Sequence, residues 1–181
     1  MEIQLTKNAR AVANAAATEE SRPVLTALNF EKGEIQAANG FVLARRKVEG
    51  IGKGKSFMLP ADQILKSKDM GKALPYAMLQ IGNGNSKAGT LTGADMVKTT
   101  IEKMDAGNYP AVDQLMPKKD AKPQAEIRLG VDILKTMIKV AGTAKSIDFK
   151  IYGPTEAVYF ECIEEYSDDP NTYGLAMPMM R

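Results

Sequence analysis

Three stretches of the chain pass from a period of two to a helical period, and they do so with the same sequence logic. In "MEIQLTKNARAVANAAA" Ile3 and Leu5 alternate with polar residues; Phe57 and Leu59 do so in "KSFMLPADQILKSKD", and Ile127 and Leu129 in "AEIRLGVDILKTMIKVAG". Alternation puts every second side chain on one face and predicts a strand. A helical stretch then follows each time. In the third copy Leu134, Met137, Ile138 and Ala141 fall on one helical face, while Lys135 and Lys139 lie four apart on another. The second has Ile64 and Leu65 beside Lys66 and Lys68, with Lys72 shortly after. The first is alanine-rich around Val12, so it can lie close on a sheet, with Lys7 and Arg10 turned away.

Each helix is followed by about three further strand-like runs. They are "VLTALNFE", "GEIQAAN" and "FVLARRKVE" in the first copy, and "YAMLQIG", "KAGTLTG" and "MVKTTIEKM" in the second. In the last copy "SIDFKIYG" turns Ile147, Phe149 and Ile151 inward and Asp148, Lys150 and Tyr152 outward, and "EAVYFECIEE" and "YGLAMPM" complete the set. The pattern predicts an α+β protein of three βαβββ repeats. "PKKDAKPQ", residues 117 to 124, is polar and proline-bounded and reads as a linker. The division expected is a two-repeat domain over 1–117, a linker over 118–124 and a one-repeat domain over 125–181.

Composition narrows the chemistry. With 44% hydrophobic and 25% charged residues the 181-residue chain is ordinary for a globular protein. No apolar run approaches the roughly 18 residues that span a bilayer. The start "MEIQLTKNAR" lacks the basic-then-apolar order of a signal peptide, so a cytoplasmic protein is expected. The single cysteine, Cys162, falls in an alternating run and reads as a buried strand residue rather than a nucleophile. There is no histidine, which removes the commonest general base, the commonest metal ligand and the imidazole triads; no enzyme, metal or cofactor is expected. "GIGKGKS" lacks the leading glycine of a phosphate loop, Glu49 standing in its place, and leads into a strand rather than a helix. Asp168 and Asp169 adjoin Pro170 and read as turn residues. The net charge of +2 permits a nucleic-acid partner without requiring one.

The run "TEESRPVLTALNFEKGEIQAANGFVLARR", residues 18 to 46, resembles the middle domain of the bacterial DNA polymerase III beta subunit, the sliding clamp. "MDAGNYPAVDQLMP", residues 104 to 117, resembles the end of that domain, and "YGLAMPMMR" the clamp's C-terminus, in the same order. The resemblance implies a DNA-clamp fold of one and a half clamp domains, with helices lining a hole and sheets forming the wall. Clamp rings hold about twelve such repeats, so three per chain imply a closed homotetramer. An odd number per chain turns alternate copies over, giving paired self-contacts and D2 symmetry. A half-domain alone would also leave bare strand edges.

The same resemblance implies the sites. Clamps bind short peptides of polymerases, clamp loaders and repair proteins in an apolar pocket, and the matching positions are Leu25, Ala38, Gly40, Phe41, Val42, Leu43, Pro110, Leu115, Leu175, Met177, Pro178 and Met179. Methionine suits a surface that repacks around different ligands. Where bacterial clamps usually carry a His-Arg pair this chain has Phe41 and Val42, which shifts peptide preference towards apolar contacts. Duplex DNA, contacted without regard to sequence, is assigned Lys7, Arg10, Lys66, Lys68, Lys72, Lys135 and Lys139. Glu161, Glu164, Glu165, Asp168 and Asp169 would make the wall acidic. The implied function is a polymerase processivity factor, of the compact kind a phage would carry. The alternative is a clamp-derived interaction protein that binds or inhibits a host clamp without encircling DNA; a carboxylate-and-metal nuclease has no supporting spacing.

Overall fold

The computed structural model describes residues 1–19, 21–52, 54–82, 86–105, 107–117, 121–123, 125–142, 144–163 and 172–179. They form two compact bodies, Met1–Met116 and Pro117–Arg181. Among the described residues no helix is long and apolar enough to cross a membrane.

The first body opens with β1 (Glu2–Thr6), whose alternation buries Ile3 and Leu5. Thr6 ends the strand and caps the helix that follows, its hydroxyl accepting a hydrogen bond from Ala9 N–H at 3.2 Å. That helix, α1 (Lys7–Ala11), tightens at once into a 3₁₀ turn, Val12–Ala15, where the alanines let the backbone approach the sheet. Three strands follow: β2 (Ala27–Glu31), β3 (Glu34–Ala38) and β4 (Leu43–Lys47). Lys32 and Gly33 join β2 to β3 with φ of 52° and 77°, the left-handed pair that a two-residue hairpin requires. The second repeat contributes β5 (Ser56–Pro60), α2 (Ala61–Lys66), β6 (Tyr76–Ile81), β7 (Ala88–Thr92) and β8 (Lys98–Glu102).

The repeats do not fold as separate sheets. The strand orders are β1-β6-β7-β8 and β4-β3-β2-β5, all antiparallel, so each repeat lends its opening strand to the other's sheet. Leu5 lies opposite Ala77 and Ile3 opposite Leu79; Leu59 lies opposite Leu28 and Phe57 opposite Phe30. The rings of Phe30 and Phe57 stack with centroids 4.7 Å apart. Both sheets and both helices share one core, which runs from Ile3 and Leu5 through Phe30, Ile35 and Ile64 to Leu79 and Ile101. Alternation announces that β1 and β5 are half-buried; it carries no information on which distant strand each joins.

The second body contains α3 (Val131–Ala141), β9 (Ser146–Lys150), β10 (Val158–Ile163) and β11 (Thr172–Ala176), in the sheet order β11-β10-β9. Its small core joins Met137 and Ala141 of the helix to Val158, Phe160, Cys162 and Ala176. Cys162 is fully buried on β10. Gly174 faces Phe160 across the ladder, and a Cβ there would stand 2.8 Å from the ring, so only glycine fits.

Several expectations need correction. The predicted strand around Ile127 and Leu129 joins no ladder among the described residues. Phe41 and Val42 belong to the turn before β4 rather than to the strand. Lys68 and Lys72 lie beyond the end of α2, because Ser67 already has extended backbone and closes the helix.

Candidate functional site

In the first body the turn between β3 and β4 carries two of the predicted peptide residues, Phe41 and Val42, in the open. Asn39 builds it: its side-chain Oδ1 accepts hydrogen bonds from the N–H groups of Phe41 and Val42 at 2.9 and 2.8 Å. Gly40 takes a φ of 94°, open to glycine and strained for other residues. The turn leaves Phe41 98% exposed, with Val42 also open. Leu43 is half-buried, and Leu25 and Ala38 are buried beneath the surface.

The segment after β8 is tied to the same sheet. Val112 is buried, and Asp113 meets Lys32 of the β2–β3 turn at 3.1 Å and Arg45 of β4 at 2.8 Å, while Arg45 also holds Glu34 of β3. The hydrogen bond and charge of Lys32, followed by those of Arg45, hold the Asp113 carboxyl below its ordinary value. Bonding to Asp113 raises Lys32 in turn. Tyr109 is partly buried against the Ala38 backbone, and that burial pushes its phenol up to about 12. Its hydroxyl is shielded from water yet lacks a well-formed hydrogen bond. These anchors leave Pro110 exposed and Leu115 71% exposed. Tyr109, Asp113 and Arg45 were not among the predicted site residues; strand and helix periods do not mark them, because their partners are remote in sequence.

In the second body Leu175 points from the outer face of β11, opposite Tyr159, and is 68% exposed. Tyr159 and Tyr173 stack on the same face, with Lys150 Nζ 4.9 Å from the centre of the Tyr159 ring. Past the strand Met177 is 62% exposed and Pro178 half-buried. Met179 donates its N–H to Arg128 O at 2.8 Å, and its Sδ lies 3.3 Å from where a Cβ on Gly130 would stand.

The predicted DNA-facing cations divide. Lys7, Lys66, Lys68, Lys72, Lys135 and Lys139 are all exposed. Lys66 pairs with Asp62 at 2.9 Å and Lys135 with Asp132 at 3.2 Å, surface contacts that contribute little to stability. Arg10 does not belong with them. It is 6% exposed, its guanidinium bonded to Leu5 O and to Asp69 at 2.8 Å, because it occupies the inward helix position that Ile64 fills in the second repeat. Of the acidic set, Glu161 lies on β10, 3.9 Å from Lys150, while Glu164, Glu165, Asp168 and Asp169 lie outside the described residues.

No protein-family model and no curated protein sequence matches the chain. Solved structures do. The chain is similar to the beta subunit of DNA polymerase from Streptococcus pyogenes, with a TM-score of 0.73 at 11% identity over 99% of this chain and 50% of that one. It is similar to the Caulobacter crescentus beta sliding clamp with a TM-score of 0.64 at 16% identity over 98% of this chain and 50% of that one. The DNA polymerase III beta subunit of Thermotoga maritima gives 0.55 at 16% identity, over 97% of this chain and 53% of that one. The chain therefore spans about half the length of the structures it matches. The exchanged sheets, the helices laid on them and these three likenesses together give this chain the fold of the DNA polymerase III beta sliding clamp, matched over about half the length of those structures.

Proposed function

We propose that this protein is a sliding clamp that surrounds duplex DNA as a ring of its own copies and tethers a polymerase to the template. The observation that carries the reading is the fold itself, matched over 99% of the chain at a TM-score of 0.73. A chain with half a clamp's length needs more copies to close a circle, and about twelve repeats at three per chain make a tetramer of D2 symmetry. The exposure of the lysines on α1, α2 and α3 supports the reading, because such cations attract phosphates without reading bases, which suits a protein that must move along DNA. It performs no chemistry of its own. Partner peptides bind at the apolar positions, Phe41, Val42 and Leu115 in the first body and Leu175 and Met177 in the second. One buried leucine-sized anchor contributes roughly 1.5 to 3 kcal/mol, so two or three anchors less the ordering of a flexible peptide give about micromolar affinity.

The test combines mass and topology. Light scattering on a sizing column is expected to give about four times the 19.6 kDa chain mass. Protein loaded on nicked circular DNA is expected to stay through a salt wash and to leave when the circle is cut. A stable monomer, or release that ignores cutting, sinks the reading. The half-length chain also favours a second reading, a partial clamp that acts on a host clamp; a complex formed only with a full-length clamp would establish that one.

A further inference from the structure

In the first body each repeat completes its partner's sheet, β1 pairing with β6 and β5 with β2. The second body has one repeat and therefore lacks the exchange. Among the described residues its sheet ends at β9, and the edge of β9 left open there is the one that β1 covers on β6. Its opening segment, residues 125–129, joins no ladder among the described residues but has one backbone contact in common with β5. Met104 N–H donates to Met58 O at 2.9 Å, and Met179 N–H donates to Arg128 O at 2.8 Å, the acceptors occupying the same place in Phe57-Met58-Leu59 and Ile127-Arg128-Leu129. The helices tell the same story. Ala61 and Ile64 of α2 are 4% and 0% exposed, whereas Val131 and Leu134 at the same places in α3 are 66% and 38% exposed.

We infer that a second copy of this chain fills the vacancy: two second bodies meet about a twofold axis, each laying residues 125–130 antiparallel on the other's β9. Repeat spacing sets the register. Leu129 precedes Ile147 by 18 residues, as Leu59 precedes Ala77, so Ile147 stands where Ala77 does. Leu129 then faces Ile147 and Ile127 faces Phe149 on the core side, while Arg128 faces Asp148 and Glu126 faces Lys150 on the outer side. Both outer pairs are of opposite charge, and the twofold axis makes each occur twice. A slip of two residues sets Arg128 against Lys150 or Glu126 against Asp148, like against like; a slip of one turns Ile127 and Leu129 away from the core. Charge and repeat spacing thus select one register independently. The same union covers the apolar residues that one copy leaves open, Phe149 on β9, Ile151 just after it, and Val131 and Leu134 on the helix.

The inference rests on the clamp reading only for what the assembly does, and its test separates the two. The full chain carrying Arg128→Cys with Asp148→Cys is expected to form a covalent dimer on mild oxidation, seen on a non-reducing gel, whereas Arg128→Cys with Lys150→Cys is expected to stay uncrosslinked. Without cysteines, Arg128→Asp raises the dimer dissociation constant about tenfold in sedimentation, since attraction becomes repulsion at two symmetric places, and adding Asp148→Arg restores it. Equal crosslinking of the shifted pair, or no restoration by the charge swap, overturns the inference. Crosslinked dimers that circular DNA does not retain defeat the clamp reading and leave the exchange standing; rings retained on DNA without the crosslink do the reverse.

Discussion

Tyr109 shows how one side chain gives the segment after β8 a measurable signature. Burial raises its phenol to about 12 from 10.0, so between those values the unfolded chain has released a proton that the folded chain retains. Stability is therefore full below about pH 10 and falls as pH rises towards 12, by about 1 kcal/mol once the partial exposure of the group is allowed for. Tyr109→Phe is expected to remove that part of the alkaline loss in denaturant melts, and it also deletes a shielded hydroxyl without a good partner. A melt whose alkaline slope is the same in the variant would show that Tyr109 is not its source. Asp113 works in the opposite sense. Its depressed carboxyl supports the Lys32 and Arg45 contacts above about pH 4, and the support fades as pH falls further, which Asp113→Asn should abolish. Phe41, by contrast, is open on a turn made by Asn39, so Phe41→Asp should change the melting temperature little. In fluorescence polarisation it should weaken a short apolar clamp-binding peptide by at least tenfold, and unchanged affinity would remove Phe41 from the site.

At the scale of elements, much of the fold is legible in the sequence. The alternation at Ile3 and Leu5 and at Phe57 and Leu59, the helical spacing through Ile64, and the later strand runs all correspond to elements of the structure. What the pattern leaves out is partnership. Nothing local tells β5 that its neighbour is β2, because that choice is made by packing in three dimensions, to which the Phe30–Phe57 stack contributes. Phe57→Ala should cost about 3 to 5 kcal/mol and lower the melt of the first body, because it opens a cavity where the two repeats meet. A loss under about 1 kcal/mol would mean that the stack does not secure the exchange. Periodicity also misjudged Arg10. A cation four places from other polar residues reads as solvated, and only the tertiary structure shows Asp69 and Leu5 waiting for it inside. Of the residues predicted for peptide binding, the structure leaves Phe41 and Leu115 of the first body and Met177 of the second exposed, while Leu25 and Ala38 are buried. The ties made by Asp113 were hidden by the separation of 81 positions from Lys32.

At the scale of the whole molecule, the proposed DNA contact can be read from its salt dependence, since the lysines assigned to it are exposed. Each phosphate contact contributes about 0.9 to the slope of log affinity against log salt, so Lys66→Ala with Lys68→Ala should lower the slope by up to about 2 in retention measurements on circular DNA. An unchanged slope would place the DNA elsewhere. The exchanged strands have a further consequence for biosynthesis. Residues 2–6 leave the ribosome long before residues 76–81, which they must join, so β1 waits with Ile3 and Leu5 unsheltered until most of the first body has been translated. Nascent chains should be vulnerable to proteases and reliant on chaperones through that interval. A polypeptide severed near residue 50 should yield two fragments, neither of which acquires native structure until they are mixed.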